Sequence, residues 1–172
     1  VTFVFSATLS GATGADWSAY LGDEERSHYS ALAQIHPGNV HALTVAWTYR
    51  AGEIGPNQRA EMQCNPLIVA GVLYATLPGA KVIALDATTG RELWRFDASA
   101  DAAARQDPRP KAEFITNRNR GVAYWADGDD RRLLHTAGHF LYAIAARTGR
   151  PIAGFGEAGR VDFNVGLGRA PT

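Results

Sequence analysis

The sequence is poor in cysteine, in net charge and in long apolar runs. Cys64 is the single cysteine among 172 residues. An intrachain disulfide is therefore impossible, and Cys-rich zinc motifs are excluded. Cys64 lies just before the apolar run Pro66-Leu67-Ile68-Val69 and reads as a small buried residue, not a nucleophile. Lys and Arg number 17, as do Asp and Glu, so the formal net charge is zero. Binding driven by bulk charge to nucleic acid or to an anionic membrane is excluded on that ground. After the first residues, no segment approaches the roughly 20 apolar residues that span a bilayer. Helical periodicity is nearly absent.

What remains is the composition of a β protein. Hydrophobic residues make up 46% and charged residues 20%, enough apolar content for a packed core. The chain opens on Val1-Thr2-Phe3-Val4-Phe5, followed by small residues up to Ala15. That pattern matches the tail of a secretory signal, so residues 1–15 are expected to be a signal remnant and the protein to be exported. An ordinary N-terminal strand is the alternative.

The most informative stretch is 84–96, Ala-Leu-Asp-Ala-Thr-Thr-Gly-Arg-Glu-Leu-Trp-Arg-Phe. An apolar strand runs into Asp86, turns through Thr88-Thr89-Gly90 and resumes as a strand expected to bury Leu93, Trp94 and Phe96. A degraded copy stands at 143–155, Ala-Ile-Ala-Ala-Arg-Thr-Gly-Arg-Pro-Ile-Ala-Gly-Phe. The offset of 59 residues (143 − 84) lies near the period of propeller blades. Strands are expected at 43–49, 66–69, 72–76, 81–85, 92–96, 122–125, 133–137 and 140–144, with a weak one at 152–155. Residues 51–60 and 97–118 read as loops, Val40–Leu43 as a short helical turn and 156–172 as a connection. The expected class is all-β, a β-propeller of which about the first two blades are present. Two blades cannot close an axis, and an uncapped repeat exposes a sheet edge. The chain is therefore expected to be an N-terminal fragment, with 16–172 forming part of a single propeller domain.

Taken together, these pieces resemble the N-terminal part of the pyrroloquinoline quinone (PQQ)-dependent dehydrogenases, the quinoprotein glucose and alcohol dehydrogenases. The matching segments run in that family's order: Asp16 to Gly22, Tyr29 to Leu32, Gln34-Ile35, Asn39-Val40, Val45 to Glu53, Gln63 to Pro66, Gly71 to Tyr74, the 84–96 hairpin, Asn119 to Trp125, Gly154 to Gly156, and Gly159 to Asp162. The resemblance implies an eight-bladed propeller stapled by Trp docking motifs, with PQQ and a calcium ion on the axis. It implies a periplasmic enzyme, with or without attachment to the inner membrane. The substrate would be an aldose sugar or an alcohol, and electrons would pass to ubiquinone or a cytochrome.

Two cofactor-binding residues follow from the resemblance. Arg120, in Asn119-Arg120-Gly121, matches the family arginine on PQQ, whose carboxylates suit a forked cationic donor. Its plain alternative is a surface arginine ending the 97–118 loop. Gln63 matches a polar position on the cofactor where alcohol-oxidising members often carry Glu, and its plain alternative is an edge-strand glutamine. The adjacent cysteines of the methanol-oxidising branch are replaced near Phe114-Ile115, which tilts the resemblance toward the glucose-dehydrogenase-like branch. The family's calcium ligands and catalytic aspartate come from later blades, and no catalytic or metal residue is expected here. Asp127, Asp129 and Asp130 read as a solvated hairpin. His135 and His139 lie four apart, but across a strand–turn–strand, so helix metal-site spacing does not apply. His28, His36 and His41 lie in loops. A non-catalytic propeller scaffold of the outer-membrane assembly type shares the 84–96 hairpin and is the alternative; a small closed four-bladed module is a third.

Overall fold

The computed structural model describes residues 16–52, 62–101 and 119–166. Two four-stranded antiparallel sheets account for all its strands. The first is β1 (Leu67–Val69), β2 (Val72–Leu77), β3 (Lys81–Asp86) and β4 (Glu92–Asp97). The second is β5 (Ala123–Asp127), β6 (Asp130–Ala137), β7 (Phe140–Ala145) and β8 (Arg160–Asp162). Both run in meander order, as propeller blades do.

The turns follow from local chemistry. Ala70-Gly71 closes β1 onto β2, with Val69 opposite Val72. In the β3–β4 turn Asp86 Oδ1 accepts from the Thr88 and Thr89 amides at 3.0 and 2.8 Å and from Thr89 Oγ1 at 2.9 Å. The Thr89 hydroxyl and amide bonds hold the Asp86 carboxyl below its usual range.

The first sheet is covered on both faces. Val69, Tyr74, Val82, Ala84 and Phe96 pack against Leu133, Phe140, Tyr142 and Ile144 of the second sheet. On the opposite face Ala75, Leu77, Ile83 and Leu85 pack under Trp47, Tyr49 and Cys64. This is why β3 is apolar at every position from Val82 to Leu85 instead of alternating.

Tryptophans lock adjacent layers. Trp94 Nε1 donates to the Ala146 carbonyl at 3.0 Å, and Trp47 Nε1 donates to the Ala87 carbonyl at 3.1 Å. Each indole lies on the glycine of the turn it caps, Gly149 and Gly90 respectively. The expected docking role of Trp94 is therefore present, and Trp47 has the same role. Sequence reasoning missed Trp47 because its glycine is 43 residues ahead (90 − 47) whereas that of Trp94 is 55 ahead (149 − 94). The insertion between β4 and β5 breaks the period.

Four expectations are corrected. Residues 43–49 carry no regular secondary structure and form no ladder among the described residues; Val45 is 81% exposed. They are held by side chains: Tyr49 donates to Glu92 and accepts from Arg95 Nη2 at 2.8 Å. Leu93 is 40% exposed, because it is the extra residue of a β-bulge: Glu92 pairs with Leu85 and Trp94 with Ala84, leaving Leu93 unpaired at the open seam beside Trp94. Residues 152–155 form a turn, closed by Phe155 N donating to the Ile152 carbonyl at 2.8 Å. The fourth strand of the second sheet instead lies in the expected connection, at Arg160–Asp162. Arg160 pairs there with Asp101 and lies 4.9 Å from the Phe140 ring centroid. The 3-10 turn at Val40–Ala42 and the other strands fall where expected, to within a residue or three at the ends. The expected signal remnant at 1–15 and the positions Phe114-Ile115 lie outside the described residues.

Candidate cofactor site

The segments leading into β1 and β5 occupy equivalent places in the two sheets, four and three residues before the first strand (67 − 63 and 123 − 120). One carries Gln63 and the other Arg120. The backbone joins them directly: the Asn65 amide donates to the Arg120 carbonyl at 3.1 Å. Asn119 shapes the turn that holds Arg120. Its Oδ1 accepts from the Gly121 amide at 2.9 Å, an Asx turn, and its Nδ2 donates to the Thr136 carbonyl at 3.1 Å.

Gly121 is required by this approach. Its φ is +129°, and a Cβ there would meet the Asn65 carbonyl oxygen at 3.0 Å. Gly121→Ala is therefore expected to cost about 1–3 kcal/mol and to push the two segments apart. Urea denaturation of the variant checks the cost; an unchanged midpoint would show that the contact is slack.

The two segments and the stretch carrying Tyr20 line an open surface cavity of about 600 Å³, with Tyr20, Gln63, Asn119, Arg120, Val122 and Thr136 on its walls. Tyr20 arrives because Trp17 exchanges two backbone hydrogen bonds with Ile68 of β1, at 2.7 and 3.0 Å. Sequence reasoning placed Asp16 to Gly22 in a matching segment without a site role. The signal for Tyr20 is tertiary, since only the pairing with β1 brings it near. Arg120 is exposed and Gln63 half-buried. Arg120 is the only charged residue among the described residues lining the cavity. The cavity is thus cationic, ringed by amide and hydroxyl groups, and suited to a polar anion.

A larger groove of about 850 Å³ opens at the seam between the sheets, beside Tyr74, Trp94 and Tyr124. It contains the docked indole and neither of the sequence-predicted site residues. The smaller cavity is the better candidate because both of those residues converge there.

The remaining candidates lie elsewhere. Asp127, Asp129 and Asp130 form an exposed hairpin turn, with Asp130 Oδ1 accepting from Arg132 Nε at 2.9 Å. His135 is buried between the sheets, and His139 stacks on Phe140 with centroids 4.3 Å apart. Cys64 is half-buried and accepts from the Thr76 amide at 3.1 Å. Among the described residues no group of three or more His, Cys, Asp or Glu gathers as a metal site.

Comparison with known proteins identifies the family and the fold. The model of the PQQ glucose/ethanol/alcohol dehydrogenase β-propeller domain matches residues 17–172. The chain is 30% identical to the glycerol dehydrogenase large subunit of Gluconobacter oxydans (strain 621H), over 95% of this chain and 22% of that protein. It is 32% identical to the 1-butanol dehydrogenase (cytochrome c) of Thauera butanivorans, over 85% of this chain and 19% of that one. The crystal structure of the quinohemoprotein alcohol dehydrogenase of Comamonas testosteroni superposes with a TM-score of 0.65 at 25% identity, over 90% of this chain and 20% of that one. The chain thus spans about a fifth of the length of these relatives. With blade-like sheets, docked indoles and a family match over nearly its whole length, the chain belongs to the PQQ-dependent dehydrogenases, as part of their β-propeller domain.

Proposed function

We propose that this chain contributes two blades and part of the cofactor site of a periplasmic PQQ-dependent dehydrogenase that oxidises the CH–OH group of an alcohol or aldose sugar. The observation that carries this reading is the convergence of Gln63 and Arg120, 57 residues apart (120 − 63), on one cationic cavity. The donor set fits the cofactor. PQQ is a tricarboxylate with quinone oxygens, and Arg120 offers forked charged donors while Gln63 offers an amide. When bound, PQQ supplies the oxidising power for the reaction. The protein's part at this cavity is to hold and orient the cofactor: Arg120 neutralises carboxylate charge, and Gln63 hydrogen-bonds without adding a negative charge of its own. The base that takes the hydroxyl proton and the ligands of a calcium ion are assigned outside the described residues. The named substrates of the relatives, glycerol and 1-butanol, favour a small hydroxyl compound. A cytochrome or ubiquinone is the proposed electron acceptor.

The full-length polypeptide, supplied with PQQ and calcium, is expected to reduce an artificial dye with an alcohol or aldose. Arg120→Ala is expected to weaken PQQ binding about 10- to 100-fold, the loss of a charge-assisted hydrogen bond. Equilibrium dialysis measures this directly. Unaltered affinity in Arg120→Ala, or absence of dye reduction with every alcohol and aldose tried, defeats the reading.

A further inference from the structure

We propose that Asn119 is a positioning residue for Arg120, setting where the guanidinium stands in the cavity. The proposal rests on the cofactor reading above. Arg120 is exposed, and a long exposed side chain loses rotamer entropy when it is fixed on a ligand. With its backbone fixed in advance, only the side chain remains to be ordered on binding. Asn119 does this from both ends of its amide. Oδ1 takes the Gly121 amide, which shapes the turn around Arg120, and Nδ2 ties that turn to the Thr136 carbonyl. The Arg120 carbonyl is held in turn by the Asn65 amide. The residues before and after Arg120 are therefore anchored to β6 and to the segment that carries Gln63. An aspartate would supply the first bond but not the second, and would add a charge beside the guanidinium. Serine or threonine would carry donor and acceptor on one oxygen, whereas asparagine presents them on two separate atoms that reach Gly121 and Thr136 at once.

The test uses the full-length polypeptide with calcium, PQQ affinity by equilibrium dialysis, and the melting temperature of the cofactor-free protein. Asn119→Ala is expected to weaken PQQ binding about 10-fold, mid-range for coupling between neighbouring groups. Asn119→Ser keeps an acceptor for the Gly121 amide and is expected to recover at least half of that loss on a logarithmic scale. It also serves if Asn119→Ala does not fold. The discriminating measurement is the double variant. In an Arg120→Ala background, Asn119→Ala is expected to change affinity less than twofold, because the group it positions is gone. An equal loss in both backgrounds, or a wild-type affinity in Asn119→Ala, overturns the positioning role while leaving the cofactor reading intact. No loss in Arg120→Ala itself sinks the cofactor reading and this one with it.

Discussion

Gly149→Val is expected to destabilise the protein by about 4 kcal/mol or more, since a β-branched residue would combine left-handed strain with overpacking. Gly149 has φ +71°, and a Cβ there would lie 2.5 Å from Trp94 Cε3 and 2.7 Å from Cδ2. Neither partner can retreat. The indole is tethered through Nε1 to the Ala146 carbonyl, and the Gly149 amide donates to the Ala145 carbonyl at 2.9 Å. The ring also packs near Tyr74, with centroids 6.0 Å apart. Gly128 is the internal control. Its φ is +56°, yet nothing lies within 4 Å of a Cβ there, so Gly128→Ala should cost only about 1 kcal/mol of backbone strain. Urea denaturation followed by tryptophan fluorescence separates the two. If Gly149→Ala costs no more than Gly128→Ala, the indole is mobile and the stapling account is wrong.

Acidification from pH 7 to 5 is expected to remove part of the stability through His135. The side chain is fully buried between the sheets, edge-on to Phe96 at 6.3 Å between centroids. Nε2 lies 3.0 Å from the Ala80 carbonyl and must donate to it, which leaves Nδ1 as the lone-pair nitrogen, without a partner among the described residues. A second proton would sit on Nδ1 with no acceptor. Burial pushes the His135 pKa down to about 4, although the Ala80 carbonyl opposes the shift. The unfolded chain takes up this proton below about pH 6.5, and the folded chain only near pH 4. Stability is therefore complete above pH 6.5 and falls as pH drops toward 4, by about 3 kcal/mol over the whole window. Between pH 6.5 and 5 the carboxylates remain ionised, so this interval isolates the histidine. His135→Gln should flatten the pH dependence of the urea midpoint there; an unchanged slope assigns the effect to other groups.

Much of the fold was legible because its signals are local. Asp86, Thr89 and Gly90 make the β3–β4 turn with their own side chains and backbone, so the turn is written in consecutive residues. The copy at 146–149 is weaker but keeps the glycine that receives Trp94. β8 was invisible because Arg160 is a poor strand signal until Asp101 neutralises it and Phe140 supports it. Residues 43–49 looked like a strand because they are one in composition, yet side-chain contacts rather than a ladder hold them.

The site divides in the same way. The order of short motifs pointed to Gln63 and Arg120, and the family match bears out the resemblance on which they rest. Residue types and spacing alone determined an all-β chain of repeated hairpins, with zero net charge and one thiol, because turn chemistry and composition act over a few residues. The packing decided the rest. It paired Trp47 with Gly90, covered both faces of β3, brought Tyr20 beside Gln63 through β1, and set Asn119 to hold the turn around Arg120. Those contacts join residues tens of positions apart, and no local pattern encodes where two distant segments meet.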